Sequence, residues 1–101
     1  MYSFGDIILA EVQFTDTFEI KTRPAVVLFE ELGNIVVAGI TSNLKMEGLS
    51  ITKKEGMVKD SIVKLNYIFT ISDKMVKKRL FPLTAEKSKM LYHEIVNRLK
   101  I

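Results

Sequence analysis

The chain contains no cysteine and only one histidine, His93. The absence of cysteine excludes thiol nucleophiles, disulfide bonds and thiolate metal ligands. A single histidine also excludes a zinc centre built from several imidazoles. Any catalysis must therefore rely on Arg, Lys, Asp, Glu, Ser, Thr or Tyr side chains.

Long apolar runs are also missing, and no segment approaches the length needed to cross a bilayer. The first residues, MYSFGDIILAEVQF, lack the basic start of a signal peptide and reach Asp6 and Glu11 early. We therefore expect a cytoplasmic protein without a membrane segment. The length predicts one domain over residues 1–101, with a modest core that dimerisation would help to stabilise.

Charge of either sign is not in large excess. The net charge is +3 and the isoelectric point is about 9.2. A mildly basic protein suits a polyanionic partner without requiring one. The 48% hydrophobic and 27% charged content is typical of a compact soluble protein.

Apolar and β-branched residues recur in short runs that predict about five strands. Gly33-Asn34 can supply positive φ between the second and third runs, which favours a hairpin there. No crossover helix separates the strands, so we predict an antiparallel barrel and not a parallel sheet. The predicted strands cover residues 6–14, 25–30, 35–41, 49–52 and 61–71.

Two polar stretches interrupt this pattern. Residues 15–23 are predicted to form an exposed loop. Pro24 has no backbone donor, which favours the first position of the next strand. Residues 72–80 are predicted to form a short turn or helix.

The C-terminal sequence changes to a helical period. Lys87, Leu91, Ile95 and Leu99 recur every four residues, and Thr84 is placed to cap the first turn. We predict an amphipathic helix that packs on the barrel.

Polar residues break the strand pattern most clearly at Arg23-Pro24 and at Thr41-Ser42. The start of one strand of an antiparallel hairpin lies beside the end of the other, so Arg23 and Thr41 should be neighbours at one rim. A guanidinium matches phosphate oxygens, and a hydroxyl can donate beside it. A solvated arginine and ordinary turn chemistry would explain the same residues.

The ordered segments GDIILAEVQFTD, KTRPAVVLFE and GNIVVAGITSN resemble the N-terminal half of MazF/PemK-like toxins. The later segment KDSIVKLNYIFTISDKMVKKRL is similar to a second signature of that family. Each motif alone is weak, but their order and spacing agree over nearly the whole chain.

This resemblance implies an SH3-like antiparallel barrel of about five to seven strands with a C-terminal helix, assembled as a homodimer. Active members of the family cleave single-stranded RNA without a metal ion or other cofactor. The ribose 2′-hydroxyl attacks the adjacent phosphorus and leaves a cyclic phosphate and a free 5′-hydroxyl. A protein antitoxin normally blocks the RNA groove.

The resemblance also implies roles for individual residues. Arg23 matches the arginine that binds the phosphate and is proposed to act in proton transfer, and Thr41 matches a threonine that contacts the same phosphate. The 15–22 segment matches a mobile loop beside the RNA groove. Further RNA-binding candidates are Ser42, Thr22, Lys21, Lys64, Asn66 and Phe69.

The chain departs from the family pattern on its last predicted strand. Many members carry Arg-x-Asp-Gln-x-Arg where this chain has KLNYIF at residues 64–69. Lys64 lacks the planar fork of arginine, Asn66 cannot act as a general acid or base, and Phe69 offers stacking in place of charge. These departures favour a non-catalytic nucleic-acid-binding barrel as an alternative. A toxin directed at DNA gyrase is a further alternative, by analogy with a related barrel toxin.

Overall fold

A computed structural model describes residues 1–13 and 19–100 of the chain. Phe14, the end of the first predicted strand, and residues 15–18 of the predicted 15–23 loop lie outside the described residues. Six strands and one α-helix are formed by the residues that are described. The strands are β1 (Asp6–Gln13), β2 (Ile20–Glu31), β3 (Asn34–Thr41), β4 (Leu49–Ile51), β5 (Ser61–Ser72) and β6 (Val76–Pro82), and the helix is α1 (Ala85–Arg98).

The strands form one antiparallel sheet in the order β4-β5-β3-β2-β1-β6. The sheet curls into a half-barrel, and the helix follows the last strand. This architecture confirms the predicted class, an antiparallel barrel with a C-terminal helix. Within the described part of the chain, no helix is long and apolar enough to cross a bilayer.

Both faces of the sheet bury apolar side chains, in two separate clusters. Ile7 and Val26 belong to the first cluster, and their chain neighbours Ile8 and Val27 belong to the second. Successive residues of a strand point to opposite faces, so the parts of β1, β2 and β3 that are buried on both faces are continuous apolar runs, at residues 7–10, 25–28 and 35–38. Leu91 of α1 is fully buried in the first cluster, which places the helix over that face.

The helix begins as the sequence predicts. Thr84 is the N-cap, and its Oγ1 accepts a hydrogen bond from the Lys87 backbone N at 3.1 Å. Lys87 also connects the helix to the sheet, because its Nζ donates to the Ser50 carbonyl at 2.8 Å and pairs with Glu55 at 3.4 Å. Capping and docking are therefore coupled in the first turn.

The β2–β3 hairpin is confirmed, but its turn differs by one residue from the prediction. Glu31 pairs with Asn34, so the connection has two residues, Leu32 at φ 51° and Gly33 at φ 80°. Two positive φ values match the twist of a tight hairpin. The prediction for Gly33 is right, whereas Asn34 begins β3 and Leu32 takes the other left-handed position.

The predicted loop at residues 15–23 is wrong in its last part. Residues 20–23 form the beginning of β2, with Thr22 opposite Glu11 and Arg23 opposite Ala10. Pro24 consequently lies inside a strand and not at its first position. It is tolerated there because the ladder between β2 and β3 begins only at Ala25, one residue later.

The predicted turn or helix at residues 72–80 is right for its first part only. Asp73–Met75 forms a 3₁₀ turn, and the rest of the segment belongs to β6. Two register shifts interrupt the pairing of β6 with β1. These irregularities, together with the position of β6 at the edge of the sheet, remove the period of two that reveals a strand in the sequence.

Candidate functional site: two clefts at one rim of the sheet

A cleft of about 540 Å³ opens at the rim where β2 and β3 meet. It combines hydroxyl and cationic side chains with an apolar floor. Strands β1, β2, β3, β5 and β6 contribute to it, together with the segment that precedes β5. Its lining consists of Leu9, Thr22, Arg23, Pro24, Ile40, Thr41, Ser42, Gly56, Met57, Val58, Lys59, Ser61 and Leu80.

The pairing of β2 with β3 brings Arg23 and Thr41 to this cleft. Ala25 is opposite Gly39, and the same register continued by two residues leads to Arg23 and Thr41. Both residues line the cleft, as expected for the start and the end of adjacent antiparallel strands.

Thr41 ends β3 and organises the turn that follows. Its Oγ1 accepts a hydrogen bond from the Asn43 backbone N at 3.1 Å, and Asn43 Oδ1 accepts one from Lys45 N at 3.1 Å. A threonine hydroxyl that accepts from the backbone still carries its own hydrogen. The turn therefore holds Thr41 Oγ1 in place and leaves that hydrogen able to point at an anion.

The Arg23 side chain lies at the surface of β2. Its Nη1 donates to the Thr22 carbonyl at 3.2 Å, and its backbone is opposite Ala10 of β1. A guanidinium carries five N–H donors in a planar fork, a shape that matches the oxygens of a phosphate.

A second, smaller cleft of about 160 Å³ adjoins the first. The two clefts share Arg23, Pro24, Ile40 and Thr41. Side chains of β5 form the remaining wall of the smaller one. Its lining consists of Val12, Arg23, Pro24, Gly39, Ile40, Thr41, Lys64, Tyr67 and Phe69.

An irregularity in β5 shapes this wall. Gly39 is opposite Lys64, yet the preceding residue Ala38 is opposite Ile68. Residues 65–67 thus have no counterpart in β3, and the strand bulges there. The bulge turns Tyr67 over Gly39. The ring centres of Tyr67 and Phe69 are 4.8 Å apart, and the Lys64 ammonium lies 5.0 Å from the centre of the Tyr67 ring.

Some sequence-predicted candidates meet in the clefts and others do not. Thr22 and Ser42 line the larger cleft, while Lys64 and Phe69 line the smaller one. Two others, Lys21 and Asn66, are in neither lining; Lys21 pairs with Glu19 at 3.2 Å, and Asn66 is exposed on the bulge.

Lys59, Ser61 and Tyr67 are polar lining residues that were not among the sequence-predicted candidates, and Tyr67 is the aromatic one. It stands in a run predicted as one uninterrupted strand, where a tyrosine is an ordinary strand residue. The pair Asn66-Tyr67 interrupts the apolar pattern of that run, and this was the available signal. The displacement of three residues against β3 could not be read from it.

The two clefts carry positive charge. Arg23, Lys59 and Lys64 belong to their linings, and among the described lining residues none is Asp, Glu or His. Cationic side chains beside hydroxyl groups and aromatic rings match the backbone and the bases of a single-stranded nucleic acid.

Comparison with known proteins places this geometry in a family. The family profile for PemK-like, MazF-like toxins of type II toxin–antitoxin systems matches residues 3–100. Among curated proteins, no sequence matches significantly.

Solved structures show the same fold. Mycobacterium tuberculosis toxin MazF-mt6 has a TM-score of 0.78 and 23% identity, with 93% of this chain and 95% of that chain covered. MazE-MazF (Form-II) from Deinococcus radiodurans has a TM-score of 0.74 and 14% identity, covering 97% and 95%. An endoribonuclease in complex with its cognate antitoxin from Mycobacterial species has a TM-score of 0.74 and 9% identity, covering 98% and 95%.

The half-barrel, its C-terminal helix and the order of the motifs thus agree with a family match over almost the whole chain. The resemblance noted in the sequence is confirmed, and the chain belongs to the PemK-like, MazF-like toxins of type II toxin–antitoxin systems.

Proposed function

We propose that this toxin is an endoribonuclease that cleaves single-stranded RNA. The observation that carries the proposal is the convergence of Arg23 and Thr41 on one cleft, from adjacent ends of β2 and β3. Membership of a family whose known general activity is RNA cleavage supports it. Thr22 and Ser42 add hydroxyl groups to the same lining.

The proposed reaction uses the RNA's own 2′-hydroxyl as nucleophile. The 2′-hydroxyl loses its proton to solvent water, and its oxygen forms a bond to the adjacent phosphorus. The bond from phosphorus to the 5′ oxygen breaks, and the 5′ oxygen takes a proton from solvent water. The products are a 2′,3′-cyclic phosphate and a 5′-hydroxyl end. Since the nucleophile belongs to the substrate, the protein has to position the phosphate and stabilise its developing charge.

Arg23 and Thr41 suit that task. The guanidinium fork would bind two phosphate oxygens, and the hydroxyl hydrogen of Thr41 would donate to one of them. Charge that grows on these oxygens as the 2′ oxygen attacks strengthens both contacts, so they favour the transition state over the substrate. This cationic stabilisation comes from the protein itself, and we propose that cleavage proceeds without a metal ion or cofactor.

Proton transfer is the step for which the described lining offers least. It contains no carboxylate or imidazole, the usual general bases. Arginine keeps its charge in proteins, which favours an electrostatic role for Arg23 over the acceptance of the 2′ proton.

The wider surface provides contacts for the rest of the RNA. Lys59 and Lys64 lie on either side of the Arg23–Thr41 rim and would contact flanking phosphates. We propose that the toxin acts in the cytoplasm, where RNA is accessible, and that it works as a homodimer. Solved complexes of relatives contain MazE, or a cognate antitoxin, bound to the toxin. We propose that an antitoxin protein likewise neutralises this chain by covering the cleft.

The experiment is RNA cleavage in the presence of EDTA, followed by analysis of the fragment ends. Purified protein should cut single-stranded RNA of varied sequence and leave cyclic phosphate and 5′-hydroxyl ends. Intact RNA under these conditions, or 5′-phosphate ends, would contradict the proposal.

A non-catalytic RNA-binding barrel is the second candidate. It is favoured by one specific observation, the lack of a carboxylate or histidine in the described linings. The same experiment separates the two functions, because retained RNA binding without strand scission would select the binding module.

A further inference from the structure

The geometry points to the smaller cleft as a binding pocket for a single nucleobase of the RNA, with Tyr67 as the residue that sets base preference beside the scissile phosphate. This inference rests on the proposed function for its ligand class. It assigns a role to a residue that has none in the cleavage chemistry described above.

The Tyr67 ring lies partly exposed in the lining of the smaller cleft. Tyr67 belongs to the three-residue bulge of β5 and is 37% exposed, unlike a core tyrosine. Its ring lies at a centre-to-centre distance of 4.8 Å from Phe69 with the two planes inclined by 34°. Two adjacent rings, one of them open to solvent, form a surface on which a base can stack.

Gly39 has no side chain, and Tyr67 occupies the space where one would stand. A β-carbon at this position would stand 2.7 Å from Tyr67 Cδ2, closer than side-chain atoms approach one another. Glycine therefore allows Tyr67 to lie against the backbone of β3, which keeps the pocket open beside Arg23 and Thr41.

The volume of the smaller cleft limits what it can hold. At about 160 Å³ the pocket is well below the roughly 300 Å³ at which sites for drug-sized ligands begin. One planar heterocycle suits this space, whereas a chain of several nucleotides must continue into the larger cleft.

Lys64 adds a positive charge to the lining of the smaller cleft. The Lys64 ammonium lies 5.0 Å from the centre of the Tyr67 ring, a cation–π distance that holds both side chains in place. Lys64 also lines the pocket, so its N–H groups are available to acceptor atoms on a base edge or to the next phosphate. Stacking alone tolerates every base, and a donor at the rim would select among them.

The shared lining links the pocket to the proposed chemistry. Arg23 and Thr41 form one side of it, so a base held on Tyr67 belongs to a nucleotide next to the phosphate bound by Arg23. The pocket would thereby position that phosphate and also recognise the base.

The test compares wild type with Tyr67→Leu and Tyr67→Phe. The variant Tyr92→Leu serves as the matched control, because Tyr92 is an exposed tyrosine of α1 that lines neither cleft. Cleavage sites are mapped on a randomised RNA pool, and kcat/KM is measured on one preferred substrate. We expect Tyr67→Leu to lower kcat/KM roughly 10- to 100-fold, the weight of one base–aromatic stack, and to flatten the base preference at one position beside the cut. Tyr67→Phe and Tyr92→Leu should retain both properties.

A binding measurement separates failure of the pocket from failure of the proposed activity. The ligand is an oligonucleotide with a 2′-deoxy sugar at the mapped cut, which removes the nucleophile. If wild type does not cut RNA, a set of oligonucleotides carries the 2′-deoxy sugar at each position in turn. Their binding is compared with that of versions carrying one abasic site. One abasic position should weaken binding to wild type and have no effect on Tyr67→Leu. Base-selective binding without cleavage would reject the nuclease and keep the pocket. An unchanged cleavage pattern in folded Tyr67→Leu, or equal binding of all abasic oligonucleotides by wild type, would overturn the pocket.

Discussion

Asp6 and Arg79 form an ion pair between Oδ2 and Nη2 at 3.3 Å, which joins the start of β1 to β6. Asp6 Oδ2 also accepts a hydrogen bond from Ser3 N at 2.9 Å, and Arg79 Nη2 donates to the Met1 carbonyl at 3.1 Å. The carboxylate thus holds the N-terminal segment against the edge of the sheet. It is in the lining of neither cleft, which indicates a structural role.

Replacement of Asp6 by Asn should destabilise the fold by about 1–3 kcal/mol, because the nearly buried carboxylate is the acceptor for both a charged and a backbone donor. The matched control is Glu11→Gln, which breaks the exposed pair between Glu11 and Lys77 at 2.8 Å and should cost less than about 1 kcal/mol. Urea denaturation measures both changes. Equal losses in the two variants would contradict the assignment.

Replacement of Arg23 by Ala should lower kcat for RNA cleavage by about 10²–10³-fold, the effect of removing one donor to a developing oxyanion. Its side chain is exposed, so the melting temperature should change little. Arg98→Ala is the control, since Arg98 is an exposed arginine of α1 that pairs with Glu94 at 2.8 Å, away from both clefts. Initial rates and circular dichroism melting curves test the pair. Similar rates for the two variants would refute the role of Arg23.

Replacement of Thr41 by Val should reduce cleavage roughly 10- to 100-fold, as expected for the loss of a hydrogen bond to a charged group. Thr41→Ser keeps the hydroxyl that accepts from Asn43 N and should retain most of the activity. The comparison separates the hydroxyl from the shape of the side chain. A rate for the Val variant equal to that of the Ser variant would show that the hydroxyl has no part in the reaction.

Replacement of Leu32 by Asn should stabilise the fold by about 1 kcal/mol. Leu32 is 99% exposed and has a φ of 51°, a conformation that asparagine adopts at lower cost. Leu44→Asn is the control, because Leu44 is also exposed and is not among the described residues with positive φ. It should change the free energy of unfolding by less than about 0.5 kcal/mol. Denaturant titration measures both, and a destabilised Leu32→Asn protein would contradict the turn geometry.

Local signals in the sequence predicted the elements whose stability is local. The helix begins at its Thr84 cap, and the β2–β3 hairpin turns at Gly33, because a cap and a positive φ depend on residues within one turn. The start of β2 lies beside the end of β3 because the two strands are antiparallel neighbours, although a bulge between Val27 and Phe29 shifts their register by one residue. The joint contribution of Arg23 and Thr41 to one cleft could therefore be expected before the structure was known.

Pairing between distant segments decided what the sequence could not show. Residues 20–23 are polar enough to read as a loop, and they are a strand because β1 lies beside them. Strand β6 is revealed only by its irregular pairing with β1.

The family and the Arg23–Thr41 rim were thus determined by the sequence itself, through ordered motifs and the antiparallel pairing of two neighbouring strands. The pocket under Tyr67 was decided by the tertiary structure alone. It depends on three residues of β5 that have no counterpart in β3 and on the close approach of an aromatic ring to Gly39. A displacement of this kind is a property of two strands together, because the hydrogen bonds that define it join residues far apart in the chain.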